Sequence, residues 1–277
     1  MEEYGALGEH GLRGKKSLGQ NFLVDARAIS RIVEAADLSP EDTVLEVGPG
    51  PGALTVQLAQ RAGRVVAVEV DERMLAPLGQ ALGPYDNVRV VCGDILEQDV
   101  AALAGTQRYK VVANLPYYIT SAVLRHVLES SLRPSLVVVT VQREVAERIV
   151  GRPRGHKSAS RMSLLAVSVQ FYGVPRIVAR IPAGAFRPVP AVASAVVRIE
   201  VYDPLPWGAV DERAFFRVAR AGFAQPRKQL HNTLAHNLGL PAERVAMALE
   251  GAGIDGRRRA ETLSIEEWVA LSRALER

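Results

Sequence analysis

Five short runs rich in β-branched residues recur through the first half of the chain, with segments of helical periodicity around and between them. The runs are TVLEV (43–47), RVVAVEV (64–70), VRVVCGD (88–94), YKVVANL (109–115) and SLVVVTVQ (135–142). Apolar runs of this length without clean alternation suit strands buried on both faces. Helical spacing appears at 26–38, 53–62, 72–82 and 121–130. Strand–helix alternation at this interval predicts an α/β protein with a doubly wound, mostly parallel sheet. Two further helices are predicted at 144–150 and 161–172, then two closing strands at 176–181 and 194–201. YDPLPWG (202–208) reads as a linker, and the chain beyond it is helical. The predicted division is a catalytic domain over 1–204 and a smaller all-α C-terminal domain over 205–277.

Hydrophobic residues make up 48% of the chain, enough for a real core. The longest apolar run, LVVVTV (136–141), is far too short to cross a bilayer. The start, MEEYGALGEH, is acidic and lacks an apolar signal core, so a soluble, cytoplasmic protein is expected. The single cysteine, Cys92, excludes an internal disulfide framework and a cysteine-based zinc site. His126 and His156 have no second ligand at useful spacing, so no metal is expected. The net charge of +4 is unevenly spread. Residues 143–198 carry 10 Lys/Arg against 2 Asp/Glu, whereas 1–142 carry 13 against 17. That concentration points to a polyanionic partner.

Between the first and second runs lies VLEVGPGPGALT, with Gly48, Gly50 and Gly52 between a strand and its helix. Glycines there permit a tight bend and close approach of a ligand. The spacing departs from the dinucleotide fingerprint, in which the third glycine follows two intervening residues. Preceded by Glu46, it looks like the S-adenosylmethionine (SAM) loop of class I methyltransferases. Glu69 closes the second run, where a carboxylate can accept both ribose hydroxyls, and Asp94 closes the third, placed to accept from an adenine amine. Asp71 and Glu72 read as turn and helix-start residues.

The fourth run ends in NLPYYIT (114–120). Pro116 removes a backbone donor and restricts Leu115 to extended conformations. Asn114 Oδ1 and the Leu115 carbonyl form a pair of acceptors for the two hydrogens of an exocyclic amine. Tyr117 offers a flat face for a base taken out of its stack. Such a site would act by positioning and electrostatics, with no strong base.

In its Asn-Leu-Pro-Tyr form this stretch resembles the amine-orienting motif of the ribosomal RNA small-subunit adenine dimethyltransferases, the KsgA/RsmA family, related to Dim, TFB and Erm. KKSLGQNFLVD (15–25), FRPVPAVASAVVRI (186–199) and GFAQPRKQLHNTL (222–234) are similar to further family segments, in order and over nearly the whole chain. The resemblance implies a Rossmann-like class I fold and SAM as cofactor, met also by Asn21, the Leu23 backbone and Asn114. It implies that Phe186 stacks on the target base. The implied substrate is two adjacent adenosines of the 3′-terminal hairpin of 16S rRNA, each dimethylated, in a small-subunit precursor and by a monomer. KSASRMS (157–163) departs from the family's usual segment, and Pro226 stands where many members carry Arg.

RPRGHKSASR (152–161) gathers Arg152, Arg154, Lys157 and Arg161 in a loop suited to phosphates. Arg227-Lys228 and Arg257-Arg258-Arg259 are further candidate RNA contacts, the triplet also readable as a helix-end cap. Two other functions fit the same features: an assembly factor in which methylation is secondary or absent, and the related large-subunit adenine methyltransferase. A DNA methyltransferase is a weaker alternative. An intact Gly loop and NLPY argue against the first, and the full C-terminal segment against the second.

Overall fold

The computed structural model describes residues 19–106, 108–153 and 161–276. They fall into two compact units, one running to Ala146 and resuming over Val174–Val201, the other comprising Glu147–Gly173 and the chain from Tyr202.

The first unit is built on seven strands: β2 (Thr43–Val47), β3 (Arg64–Glu69), β4 (Val88–Cys92), β5 (Tyr109–Asn114), β6 (Leu136–Gln142), β7 (Gly173–Ile181) and β9 (Ser194–Val201). Their order is β4-β3-β2-β5-β6-β9-β7. The five runs read from the sequence form the parallel part, β4 to β6. β9 runs antiparallel to β6, pairing Leu136 with Glu200 through to Gln142 with Ser194. The sheet is therefore mixed, as expected of a mostly parallel sheet closed by returning strands. The chain moves outward from β2 to β4, then returns to the other side of β2 to lay down β5 and β6. The carboxyl ends of β2 and β5 flank that reversal, where open α/β sheets form a ligand crevice.

The helices of this unit are α1 (Ala26–Ala36), α2 (Ala53–Ala59), α3 (Leu75–Leu82), α4 (Val100–Ala104) and α5 (Thr120–Leu128), with α6 (Arg143–Ile149) running into the second unit. Asp25 starts α1 by accepting from the Ala28 amide at 2.8 Å. Ile29, Ile32, Val33 and Ala36 then fall on one face and bury against the sheet, with Val44, Val65, Val112 and Val138. A two-stranded sheet absent from the sequence reading, β1 (Phe22–Leu23) with β8 (Phe186–Arg187), ties the start of the described chain to the segment before β9. The predicted helix at 72–82 is a 3₁₀ turn, Glu72–Met74, followed by α3. Asp99, unremarkable in the sequence, caps α4 through the Ala101 and Ala102 amides.

The second unit contains α7 (Leu164–Gln170), α8 (Glu212–Phe223), α9 (Leu230–Leu238), α10 (Ala242–Gly251) and α11 (Ile265–Glu276). α8 packs on α9 and α11, and α10 on α9 and α11. Gly222 lets α8 approach α11: a Cβ there would lie 2.4 Å from the Trp268 ring. Residues 147–173 group with this unit, which corrects the contiguous 1–204 domain drawn from sequence. The cause is aromatic packing. Phe171 stacks 4.2 Å from Phe215, Tyr172 packs on Phe216, and Trp207 Nε1 donates to the Phe171 carbonyl at 2.7 Å. No helix among the described residues is long and apolar enough to cross a membrane.

Candidate active site

At the carboxyl ends of β2 to β5, one pocket gathers Gly48, Gly50, Glu69, Asp94, Asn114, Leu115, Pro116 and Tyr117, together with Asn21 and Phe186. Gly48, Gly50 and Gly52 have φ of 69°, 55° and 96°, a region that side chains disfavour. Gly50 also needs its bare backbone for space, since a Cβ would meet the Phe22 ring at 3.0 Å. Gly52 does not line the pocket. It heads α2, and a Cβ there would press on Leu78 of α3 at 2.9 Å, so it is a packing glycine. Leu23 is likewise outside the pocket and 5% exposed in the core, while Phe22 lines the pocket. Neighbouring residues of a strand face opposite ways, and β1 turns Phe22, not Leu23, toward the cavity.

Glu69 is buried, with both oxygens held by backbone: Oε2 accepts from Gly50 N and Oε1 from Asp71 N, each at 2.9 Å. Burial raises its pKa, against the lowering effect of those two bonds. Asp94 Oδ1 caps the Leu96 amide at 2.9 Å. Asp71 has the turn role expected: Arg73 holds it down to about 2, with Gln20 as a second partner at 2.9 Å.

Asn114 donates from Nδ2 to the Asn21 carbonyl at 3.1 Å. This bond commits the nitrogen end of the amide and leaves Oδ1, on a residue that lines the pocket, with no donor among the described residues. In the turn that follows, the Pro116 carbonyl takes the bonds from Ile119 N at 3.2 Å and Thr120 Oγ1 at 3.3 Å. No described residue donates to the Leu115 carbonyl. Tyr117 Oη lies 2.9 Å from Ser194 Oγ, and burial raises the phenol's pKa. Phe186 is buried at the pocket wall, carried there by the β1–β8 pairing of Leu23 with Phe186.

The sequence reading missed Gln20, Phe22 and Tyr118 as lining residues. Tyr118 is 61% exposed, and its ring covers Gly19. It also missed the environment of Glu46. That side chain is 1% exposed, and burial raises its pKa to about 8, with Glu69 adding like-charge repulsion. Thr55 is near enough to favour the ionised form, yet its Oγ1 and Glu46 Oε2 both lack a well-formed hydrogen bond among the described residues. The available signal was an acid inside an apolar run, VLEV.

The candidate RNA contacts divide. Arg154 and Lys157 lie outside the described residues. Arg152 is exposed and bridges Arg161 through the backbone. Arg161 forms an ion pair with Glu261 at 2.5 Å. Arg227, Lys228 and Arg259 are exposed, and Arg257 is 82% exposed beside Asp255. Arg258 is already engaged within the fold. Its guanidinium bonds Glu267 at 2.5 and 3.0 Å and the Thr262 carbonyl at 2.6 Å, so it braces the start of α11. His126 Nε2 lies 2.9 Å from the Gln98 carbonyl, and no group of metal-ligating residues occurs among the described residues.

A doubly wound sheet with a glycine turn after its first parallel strand and an Asn-Leu-Pro-Tyr end to its fourth defines a Rossmann-like SAM-dependent methyltransferase. The profile of the family "Ribosomal RNA adenine dimethylase" matches residues 11–277, and the chain belongs to that family. It is 48% identical to a ribosomal RNA small subunit methyltransferase A of Dehalococcoides mccartyi (strain CBDB1), over 94% of this chain and 88% of the relative. It is 46% identical to a protein of the same description from Moorella thermoacetica, over 97% and 94%. Among solved structures, the 23S rRNA methyltransferase ErmE aligns with a TM-score of 0.71 at 29% identity, covering 93% of this chain and 100% of that one. A dimethyladenosine transferase from Plasmodium falciparum aligns with a TM-score of 0.75 at 21% identity, over 90% and 95%, a likeness of fold.

Proposed function

We propose that this chain transfers methyl groups from SAM to the exocyclic amines of two adjacent adenosines in the 3′-terminal hairpin of 16S rRNA, two methyls to each, on a precursor of the small subunit and as a monomer. The observation that carries the reading is the Asn114 amide, whose nitrogen end is committed to the Asn21 carbonyl, in a pocket lined by Asn114 and Leu115, with no described residue donating to the Asn114 oxygen or the Leu115 carbonyl. The pocket fits the cofactor. Gly50 presents bare backbone where a side chain would press on the Phe22 ring, Glu69 offers a fixed carboxylate for ribose hydroxyls, and Asp94 Oδ2, with no donor among the described residues, can accept from an adenine amine. SAM supplies a methyl group made electrophilic by a positively charged sulfur.

The chain's own residues then have distinct tasks. Asn114 Oδ1 and the Leu115 carbonyl accept the two amine hydrogens, which localises the nitrogen lone pair and turns it toward the methyl. Tyr117 and Phe186 hold the flipped base by stacking, with the Tyr117 ring tethered through Ser194. The amine proton becomes acidic as the nitrogen is methylated and leaves to water, so no buried base is needed. Rate enhancement comes from orientation and fixed dipoles.

The test is transfer of labelled methyl from SAM to three substrates: naked small-subunit RNA, assembled small subunits and large-subunit RNA. Label in two adjacent adenosines of the small-subunit RNA, naked or assembled, supports the proposal. Label in large-subunit RNA alone assigns the chain to the other substrate. No transfer to any of the three, with RNA binding intact, favours the assembly-factor reading.

A further inference from the structure

Away from the pocket and from the basic stretches singled out by sequence, the helical unit carries a groove of about 590 Å³ between α8, the end of α9, the start of α10 and the end of α11. Three arginines and an asparagine supply its polar groups: Arg217, Arg220, Arg244 and Asn237. No carboxylate side chain among the described residues lines it; Glu243 and Glu276 are sequence neighbours of lining residues only. Its floor includes Val218, Ala221 and Leu240.

The helix itself sorts the charges. On α8, Arg213, Arg217 and Arg220 follow at intervals of four and three, which puts them along one exposed stripe, while Phe215, Phe216, Val218 and Ala219 bury the opposite face. The acids at the start of α8 are already engaged. Asp211 caps the Arg213 and Ala214 amides, and Glu212 accepts from Tyr172 Oη at 2.7 Å. Arg217 and Arg220 have no ion pair or hydrogen bond among the described residues. Arg244 gives one donor to the Leu275 carbonyl at 3.3 Å, which holds it in the groove wall with the rest of its guanidinium available. Residues 199–277 carry 11 basic and 11 acidic side chains, so this single-signed groove is a local segregation in a stretch of no net charge.

We infer that this groove binds the phosphodiester backbone of the RNA substrate, a surface separate from the methyl-transfer pocket. The inference rests on the reading of the chain as an RNA methyltransferase. Arginine forks match phosphate oxygens, and an apolar floor suits the ribose edge between successive phosphates. Because Arg217 and Arg220 are exposed and make no ion pair or hydrogen bond among the described residues, they can be changed without unfolding the unit.

The experiment uses the full chain with Arg217→Gln and Arg220→Gln together, and a second variant with both changed to Lys. Affinity for small-subunit RNA is measured across a salt series, alongside SAM affinity and single-turnover methyl transfer at saturating RNA. The Gln variant is expected to bind RNA about 10-fold more weakly near 0.1 M salt. Its plot of log affinity against log salt flattens by about 1–2, for two lost phosphate contacts at ~0.7–0.9 each. SAM affinity and saturated transfer stay unchanged, and the Lys variant keeps the wild-type slope. Wild-type affinity and slope in the Gln variant overturn the inference. Failure of the functional reading is distinct: the wild-type chain itself then transfers no methyl to RNA, whatever the groove does.

Discussion

Replacing Glu46 with Gln removes the one carboxyl that the fold encloses inside β2, and the effect on stability depends on pH. Burial raises its pKa from 4.5 to about 8 in the folded chain. Between those values the unfolded chain has lost the proton and the folded chain still holds it. Stability therefore falls as pH rises, beginning above the unfolded pKa and levelling off once the folded group also ionises. At 1.36 kcal/mol per unit, the shift amounts to about 4 kcal/mol lost between pH 5 and pH 9. Gln keeps the size and a polar end but has no proton to lose. Thermal melting of both proteins across that range isolates Glu46 as the difference between them. The Gln variant should gain on wild type steadily with pH, by about 10 °C in midpoint at pH 9 relative to pH 5, at ~2–4 °C per kcal/mol for a chain of this size. Parallel pH curves would refute the reasoning, because Glu46 would then be ionised and solvated in the folded state.

Three further outcomes follow from the site. Glu69→Ala loses the fixed carboxylate and should weaken SAM binding by ~1.5–3 kcal/mol, about 10–100-fold, measured by calorimetry; unchanged affinity would leave Glu69 as a turn residue that bonds Gly50 and Asp71. Tyr117→Phe and Ser194→Ala each break the same 2.9 Å contact, so each should raise the RNA KM by a factor of a few, corresponding to ~1 kcal/mol, and the double variant should be no worse than either; additive losses in the cycle would separate the two residues. Reversing Arg152, Arg154 and Lys157 to Glu should weaken RNA binding and flatten its salt dependence without affecting SAM affinity, and an unchanged salt slope would remove this loop from the RNA interface.

The parallel core was legible because β2, β3, β5 and β6 are buried on both faces and so read as continuous apolar runs, while β4, at the sheet edge and with no buried residue, was legible from its β-branched composition. The site was legible for a related reason: the fold places strand ends along one crevice, so Gly48, Glu69, Asp94 and Asn114, each at a strand end, had to come together. Contacts that depend on distant partners were not legible. β1 and β8 are two residues each, far below the length at which periodicity speaks. Their pairing decides that Phe22 faces the pocket and Leu23 the core. Phe171 and Tyr172 ended a helical pattern in sequence, and only the aromatic faces of α8 and Trp207 reveal that they belong to the helical unit. Three consecutive arginines look alike in sequence, yet Arg258 alone meets Glu267. The signal for a buried Glu46 is ambiguous, since one acid in an apolar run is also what a strand exposed at one point would show.

The most direct test of the methyl-transfer site is single-turnover transfer by Asn114→Ala at saturating SAM and RNA. The Asn114 oxygen gains most as the amine turns toward the methyl, so its loss falls on the chemical step. The account predicts a rate ~10²–10³ below wild type with both binding affinities unchanged. Transfer at near the wild-type rate would contradict it, and Asn114 would then serve only to hold the Asn21 backbone.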